Sequence, residues 1–258
     1  MLSLRQALSL DSIRNIGGKF SKLSCVFDGV DAHVRVADSS ALRPTSALSI
    51  SLWMKPTNWN LPAPTSRNEY VLGCVKSGGW GIRMNNSGAG ATTLQFELKA
   101  ASGYIYATVD TGTTEALTGW VNVIATYNQT TGVSNIYHNN DTTGTATGNA
   151  TAGDAISYHS SPVPIFIGAD ASTPTSAQNF FEGHVDEVAV FNTVLSSANR
   201  TAIYNGGKPA DLTGMSGLVG WWRMGDDATF PTIPDASSNS NNGTMTSMVA
   251  GDITTDTP

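Results

Sequence analysis

The feature that most constrains this chain is a two-residue alternation of apolar and polar side chains, repeated in short runs. Leu48, Ile50, Leu52 and Met54 alternate with Ser49, Ser51 and Trp53. Trp80, Ile82 and Met84 alternate with Gly81 and Arg83, and Leu94, Phe96 and Leu98 with Gln95, Glu97 and Lys99. Ile105, Ala107 and Val109 alternate with Tyr104, Tyr106 and Thr108, and Val34 and Val36 flank Arg35. Residues 70–75, 121–127, 133–138, 165–167 and 185–191 are further strand-like runs. Successive side chains of a strand point to opposite faces, so each run buries one face and wets the other. Glycine, asparagine, serine and threonine fill the turns between runs. The pattern predicts an all-β fold, a two-sheet antiparallel sandwich or a barrel. No helical segments alternate with the strands, which excludes a parallel α/β sheet. One helix is predicted, over residues 198–204, capped by Ser196 or Ser197 and stopped by Gly206 and Gly207.

With 258 residues the chain can bury a sizeable core without disulfides or metals. Cys25 and Cys74 both sit in apolar runs, and the simplest expectation is two buried free thiols. The formal net charge is −6 and no basic stripe occurs, which argues against a nucleic-acid partner. No apolar run approaches the ~20 residues of a membrane-spanning helix, so no membrane insertion is expected. Arg5, Gln6, Asp11 and Arg14 interrupt the apolar character of the first residues, unlike a secretory signal.

Three parts are expected. Residues 1–24 read as an N-terminal docking arm carrying Leu2, Leu4, Leu8, Ile13, Ile16 and Phe20. Residues 25–207 carry the sandwich. Residues 208–258 carry a stretch too apolar to leave in water (Leu218, Val219, Trp221, Trp222, Met224), expected to complete the same sandwich near residues 25–37, followed by an extended tail. Trp53, Trp120, Trp221 and Trp222 are core candidates, and Trp59 falls in a Pro-rich loop that favours exposure.

Four stretches carry a family resemblance. CVFDGVDAHVRVADSSALRPTSALSISLWMKP resembles the opening strands of laminin G-like jelly rolls of the concanavalin A-like lectin/glucanase superfamily. WVNVIATYNQTTGVSNIYHNN resembles their central hairpin, and FIGAD with FFEGHVDEVAVFNTVLSSANRTAIYNGG their closing strand and helix. GLVGWWRMGD with DASSNSNNGTM resembles a strand that usually comes first, here placed last. The arrangement, with its arm and the ending GDITTDTP, is similar to virion structural proteins of marine bacteriophages. The resemblance implies a non-enzymatic virion component, a capsid decoration or appendage present in many copies. Its arm would meet other virion proteins and its domain would touch host surface glycans. The rival is a carbohydrate-binding module of a microbial adhesin or secreted protein. A weaker rival is a glycoside hydrolase-related domain.

The candidate residues follow. Glycoside hydrolysis needs two carboxyl groups flanking one bond. Glu182, Asp186 and Glu187 lack the Glu-x-Asp-x-x-Glu spacing of related glucanases, and Glu97 is isolated on its strand, so no catalytic residue is assigned. The four histidines are scattered, without a nucleophilic triad or zinc-ligand spacing. For sugar binding, Tyr104 and Tyr106 lie opposite the Ile105/Ala107/Val109 row, and Arg83 occupies the analogous face of its strand. Cross-strand packing or interface contacts are the simpler explanation of these tyrosines. The resemblance also implies calcium, at Asp28 and Asp186. Asp186, on the row of Val188 and Val190 by alternation, needs a partner: Ca²⁺, Arg35, Arg43 or turn amides.

Overall fold

A computed structural model describes residues 20–59, 61, 67–74, 78–86, 92–110, 119–141, 150–173 and 176–258. The docking arm expected over residues 1–24 falls outside the described residues as far as residue 19.

The strands are, in chain order, β1 (Ser24–Asp28), β2 (His33–Val36), β3 (Ala47–Pro56), β4 (Arg67–Gly73), β5 (Trp80–Asn86) and β6 (Thr92–Ala100). Then come β7 (Gly103–Asp110), β8 (Val121–Asn128), β9 (Val133–His138), β10 (Ile165–Ile167), β11 (Asp170–Thr173) and β12 (Ser176–Gln178). β13 (Glu182–Phe191) leads into helix α1 (Ser197–Tyr204). The C-terminal stretch adds β14 (Leu218–Trp222), β15 (Met224–Asp227), β16 (Thr232–Ile233), β17 (Gly243–Thr246) and β18 (Ile253–Thr254). One sheet runs β18-β1-β13-β3-β8-β9 with β14 also on β13, and the other runs β16-β17-β2-β10-β4-β5-β6-β7. The two form an antiparallel jelly-roll sandwich, with β11 and β12 as a small hairpin beside it.

The alternation fixes the core. Leu48, Ile50, Leu52 and Met54 of β3 share one buried cluster with Ile82, Met84, Leu94, Phe96, Leu98 and Ile105 of the other sheet. Cys25 and Cys74 are buried free thiols. Helix α1 is capped at Ser196, whose hydroxyl accepts from the Asn199 amide. Its left-handed C-cap is Asn205, one residue before the glycines expected to end it. The helix covers the outer face of the β13-bearing sheet, where Ile203 and Leu195 pack with Phe191 and Trp221.

The structure corrects four details. First, β1 and β2 belong to opposite sheets, so residues 25–37 are not one layer. β14 pairs with residues 188–191 of β13, on the edge that β1 occupies at residues 182–185, whereas β17 pairs with β2. Second, the extended tail is not separate from the sandwich, because residues 253–254 form an edge strand on β1. Asp256 beyond them bonds Lys55 and Trp120. Third, Trp53, Trp221 and Trp222 are buried as expected, Trp222 between the sheets and Trp221 in the cluster beneath α1, but Trp120 is only half-buried. Fourth, Trp59 packs partly buried against the core.

Candidate functional site

The outward face of β5, β6 and β7 gathers the residues singled out for sugar binding. β6 and β7 are joined by a two-residue turn, Ala101 and Ser102, which pairs Ala100 with Gly103. That register sets Lys99 opposite Tyr104 and Glu97 opposite Tyr106. β5 pairs with β6 so that Arg83 faces Gln95. Ile105, Ala107 and Val109 are buried, while Tyr104 and Tyr106 remain 43% and 41% exposed. Exposure on that scale, beside buried neighbours, separates these rings from ordinary core packing.

Cations hold both rings. The Arg83 guanidinium lies 5.4 Å from the Tyr106 ring centroid and 5.5 Å from that of Tyr70. The Lys99 ammonium lies 4.7 Å from the Tyr104 centroid. Such contacts are worth roughly 0.5–1 kcal/mol at exposed sites. Arg83 is itself fixed: Nε donates to Gln95 at 3.0 Å, and Nη1 donates to the Tyr70 hydroxyl at 3.0 Å and pairs with Glu97 at 3.1 Å. The Tyr70 hydroxyl donates to Glu97 at 2.7 Å. Burial, then the Glu97 charge, pushes the Tyr70 and Tyr106 hydroxyls upward in pKa, so both stay protonated donors. The face therefore offers two half-exposed rings beside a hydrogen-bonded polar network. Sequence reasoning picked out Tyr104, Tyr106 and Arg83 but missed Gln95, Lys99, Tyr70 and the partnership of Glu97. The two-residue turn was the available signal, because it sets the β6–β7 register.

Asp28 and Asp186 are not brought together as a calcium site. Asp28, at the end of β1, pairs in register with Glu182, four residues from Asp186 along β13. Its Oδ1 accepts from the amides of Val30, Asp31 and Ala32. Burial opposes its charge, but these amides prevail and hold its pKa below the usual range. Asp186 does not lie on the Val188/Val190 row. A β-bulge shifts the β13–β3 register between Asp186 and Ala189, and Glu187 takes a left-handed φ of 49°. Val185 and Val188 thus both reach the core, while Asp186 faces Ser21, whose hydroxyl lies 2.5 Å away. Its other oxygen accepts from the Glu187 amide at 2.8 Å. Arg43 pairs instead with Asp38. Both oxygens of Asp186 and Oδ1 of Asp28 thus take amides or a hydroxyl, and β13 keeps the two residues four positions apart in register. Among the described residues, no group of three or more His, Cys, Asp or Glu is placed to hold a metal.

Glu182, Asp186 and Glu187 belong to β13, in the other sheet. Glu187 is buried, accepting from Trp221 Nε1 at 2.6 Å and pairing with Arg223 at 3.3 Å. The cavity lined by Asp38, Leu42, Arg43, Cys74, Tyr158 and Ile165 measures about 10 Å³, too small for a sugar.

Residues 28–199 match the family model described as the concanavalin A-like lectin/glucanases superfamily, of the laminin G type. The match runs from the end of β1 into α1, two thirds of the chain. The chain belongs to this family. Two solved structures share the fold. A protein from Bacteroides ovatus, proposed to bind carbohydrate, superposes with a TM-score of 0.65 at 20% identity, over 91% of this chain and 60% of that one. The chain thus spans less than two thirds of that protein's length. A heptameric SAP-like pentraxin from Limulus polyphemus gives a TM-score of 0.54 at 16% identity, over 74% of this chain and 86% of that one. At these identities the likeness concerns the fold. No curated protein matches the chain.

Proposed function

We propose that this laminin G-like domain binds glycans on the face of β5, β6 and β7, with Tyr104 and Tyr106 as the stacking platform. The observation that carries the reading is the pair of half-exposed rings, held by cations on a strand whose alternate residues are buried. The C–H face of a pyranose is apolar, and a rigid aromatic ring offers it contact area at small entropic cost. Arg83, with Nε and Nη1 engaged by Gln95, Tyr70 and Glu97 and its guanidinium over the Tyr106 ring, acts by positioning Tyr106. The Bacteroides ovatus protein of the same fold, itself proposed to bind carbohydrate, supports the reading.

We propose binding without hydrolysis. The only carboxylate described on this face, Glu97, is tied to Arg83 and Tyr70, and hydrolysis needs two. A finer reading is display on a bacteriophage virion, facing host surface glycans. Its support is the sequence resemblance of the arm, the late-placed strand and the ending, and detection of the chain in purified virions by mass spectrometry tests it.

The binding test is a glycan array probed with the parent chain and a Tyr104→Ala, Tyr106→Ala double variant. Selective binding that falls about tenfold or more in the variant, with an unchanged melting curve, is expected. Absence of glycan binding by the parent, or equal binding by both, overturns the reading.

A further inference from the structure

Resting on the reading of this face as the glycan site, we infer that its ligand is an acidic saccharide whose carboxylate seats on Lys99. The argument is one of charge placement. Among the described side chains, the face carries two cations, Arg83 and Lys99, and one carboxylate, Glu97. Arg83 and Glu97 cancel: they lie 3.1 Å apart, their side chains are 14% and 6% exposed, and Glu97 also takes the Tyr70 hydroxyl. Lys99 makes no ion pair among the described residues. Its ammonium meets only the Tyr104 ring, 4.7 Å from the centroid.

Among the described side chains Lys99 is therefore the uncompensated charge of the face, on a chain whose net charge is −6. The remaining outward residues of β6, Thr93 and Gln95, are neutral. Register places Lys99 directly across from Tyr104, and its ammonium lies over one face of that ring, which leaves the opposite face for a pyranose to stack on. A carboxylate on such a sugar projects from the ring edge, within reach of a cation at that position. A neutral sugar leaves the ammonium on the tyrosine alone. Repulsion from the rest of the acidic chain is screened beyond roughly 8–10 Å at physiological salt and opposes the short contact only weakly. Because the pair is half-exposed, its worth is that of a surface ion pair: roughly a two- to fivefold preference.

The test uses the full chain and matched ligands: uronic-acid oligosaccharides and their carboxyl-reduced neutral counterparts, first on an array and then by calorimetry. The acidic member should bind roughly two- to fivefold tighter at about 20 mM salt, with the gap narrowing at about 300 mM. Lys99→Gln, which keeps the stem beside Tyr104, should abolish the preference for the acidic member, and Lys99→Arg should restore it. Equal affinity for both members, or a preference that survives Lys99→Gln, overturns the inference while the tyrosine platform stands. Failure of both members to bind overturns the platform and the inference together.

Discussion

The indole of Trp120 donates a 2.9 Å hydrogen bond to the carboxylate of Asp256, 136 residues later in the chain. The same carboxylate accepts from Lys55 at 2.6 Å, and the Asp256 carbonyl accepts from Ser24 at 2.6 Å. One residue thus ties the C-terminus to β1, β3 and the segment before β8. Removing residues 253–258 takes away β18 and exposes the edge of β1. The shortened chain should lose about 1–2 kcal/mol, a fall in Tm of roughly 2–8 °C in a thermal melt. It should also aggregate faster, since an uncovered edge strand templates pairing.

Trp222 is fully buried and pairs in register with Val188 on β13. Trp222→Ala should cost about 3–5 kcal/mol in urea unfolding, as for other large core truncations. Truncation after residue 207 removes β14 through β18 from both sheets, and the remainder should fail to unfold cooperatively. A fragment that keeps the parent's melting curve would show the C-terminal stretch to be an appendage.

Asp186 and Glu187 are adjacent buried carboxyls. Burial, then the neighbouring Glu187 charge, raises the Asp186 pKa, and burial raises Glu187 to about 7 despite Arg223 and Trp221. Both hold protons more tightly folded than unfolded. The native state then binds more protons, and stability falls as pH climbs from about 4.5 through about 7. Tm should therefore drop between pH 5 and pH 8. Asp186→Asn, near-isosteric and neutral, should flatten that slope and raise stability at pH 8 by about 1 kcal/mol. A parent Tm that rises across the same range contradicts this account.

Arg83 compensates Glu97, whose side chain is almost fully buried. Arg83→Gln leaves that carboxylate with the Tyr70 hydroxyl alone and should cost about 2–4 kcal/mol. Glu97→Gln, which removes the buried charge instead, should cost less. Guanidinium unfolding of the two variants side by side checks the order.

The sequence by itself determined the strand faces. Alternation is local, so Leu48 to Met54 and Ile105 to Val109 could be assigned to the interior, and Tyr104, Tyr106 and Arg83 to the outside, without knowing any partner. The cap at Ser196 was equally local. Register and sheet membership were not. The bulge at Asp186 and Glu187 inserts one residue, which reverses every later face of β13, and only the pairing with β3 reveals it. Asp186 was therefore misplaced on the core row. Whether β14 would find β1 or β13 depended on which edge remained open beside Trp222's cavity, a contest among distant segments that no window of sequence encodes. The pairing of Lys99 with Tyr104, and of Glu97 with Arg83, likewise follows from how β5, β6 and β7 align. Tertiary structure decided these because hydrogen-bond register joins residues that the local pattern treats as independent.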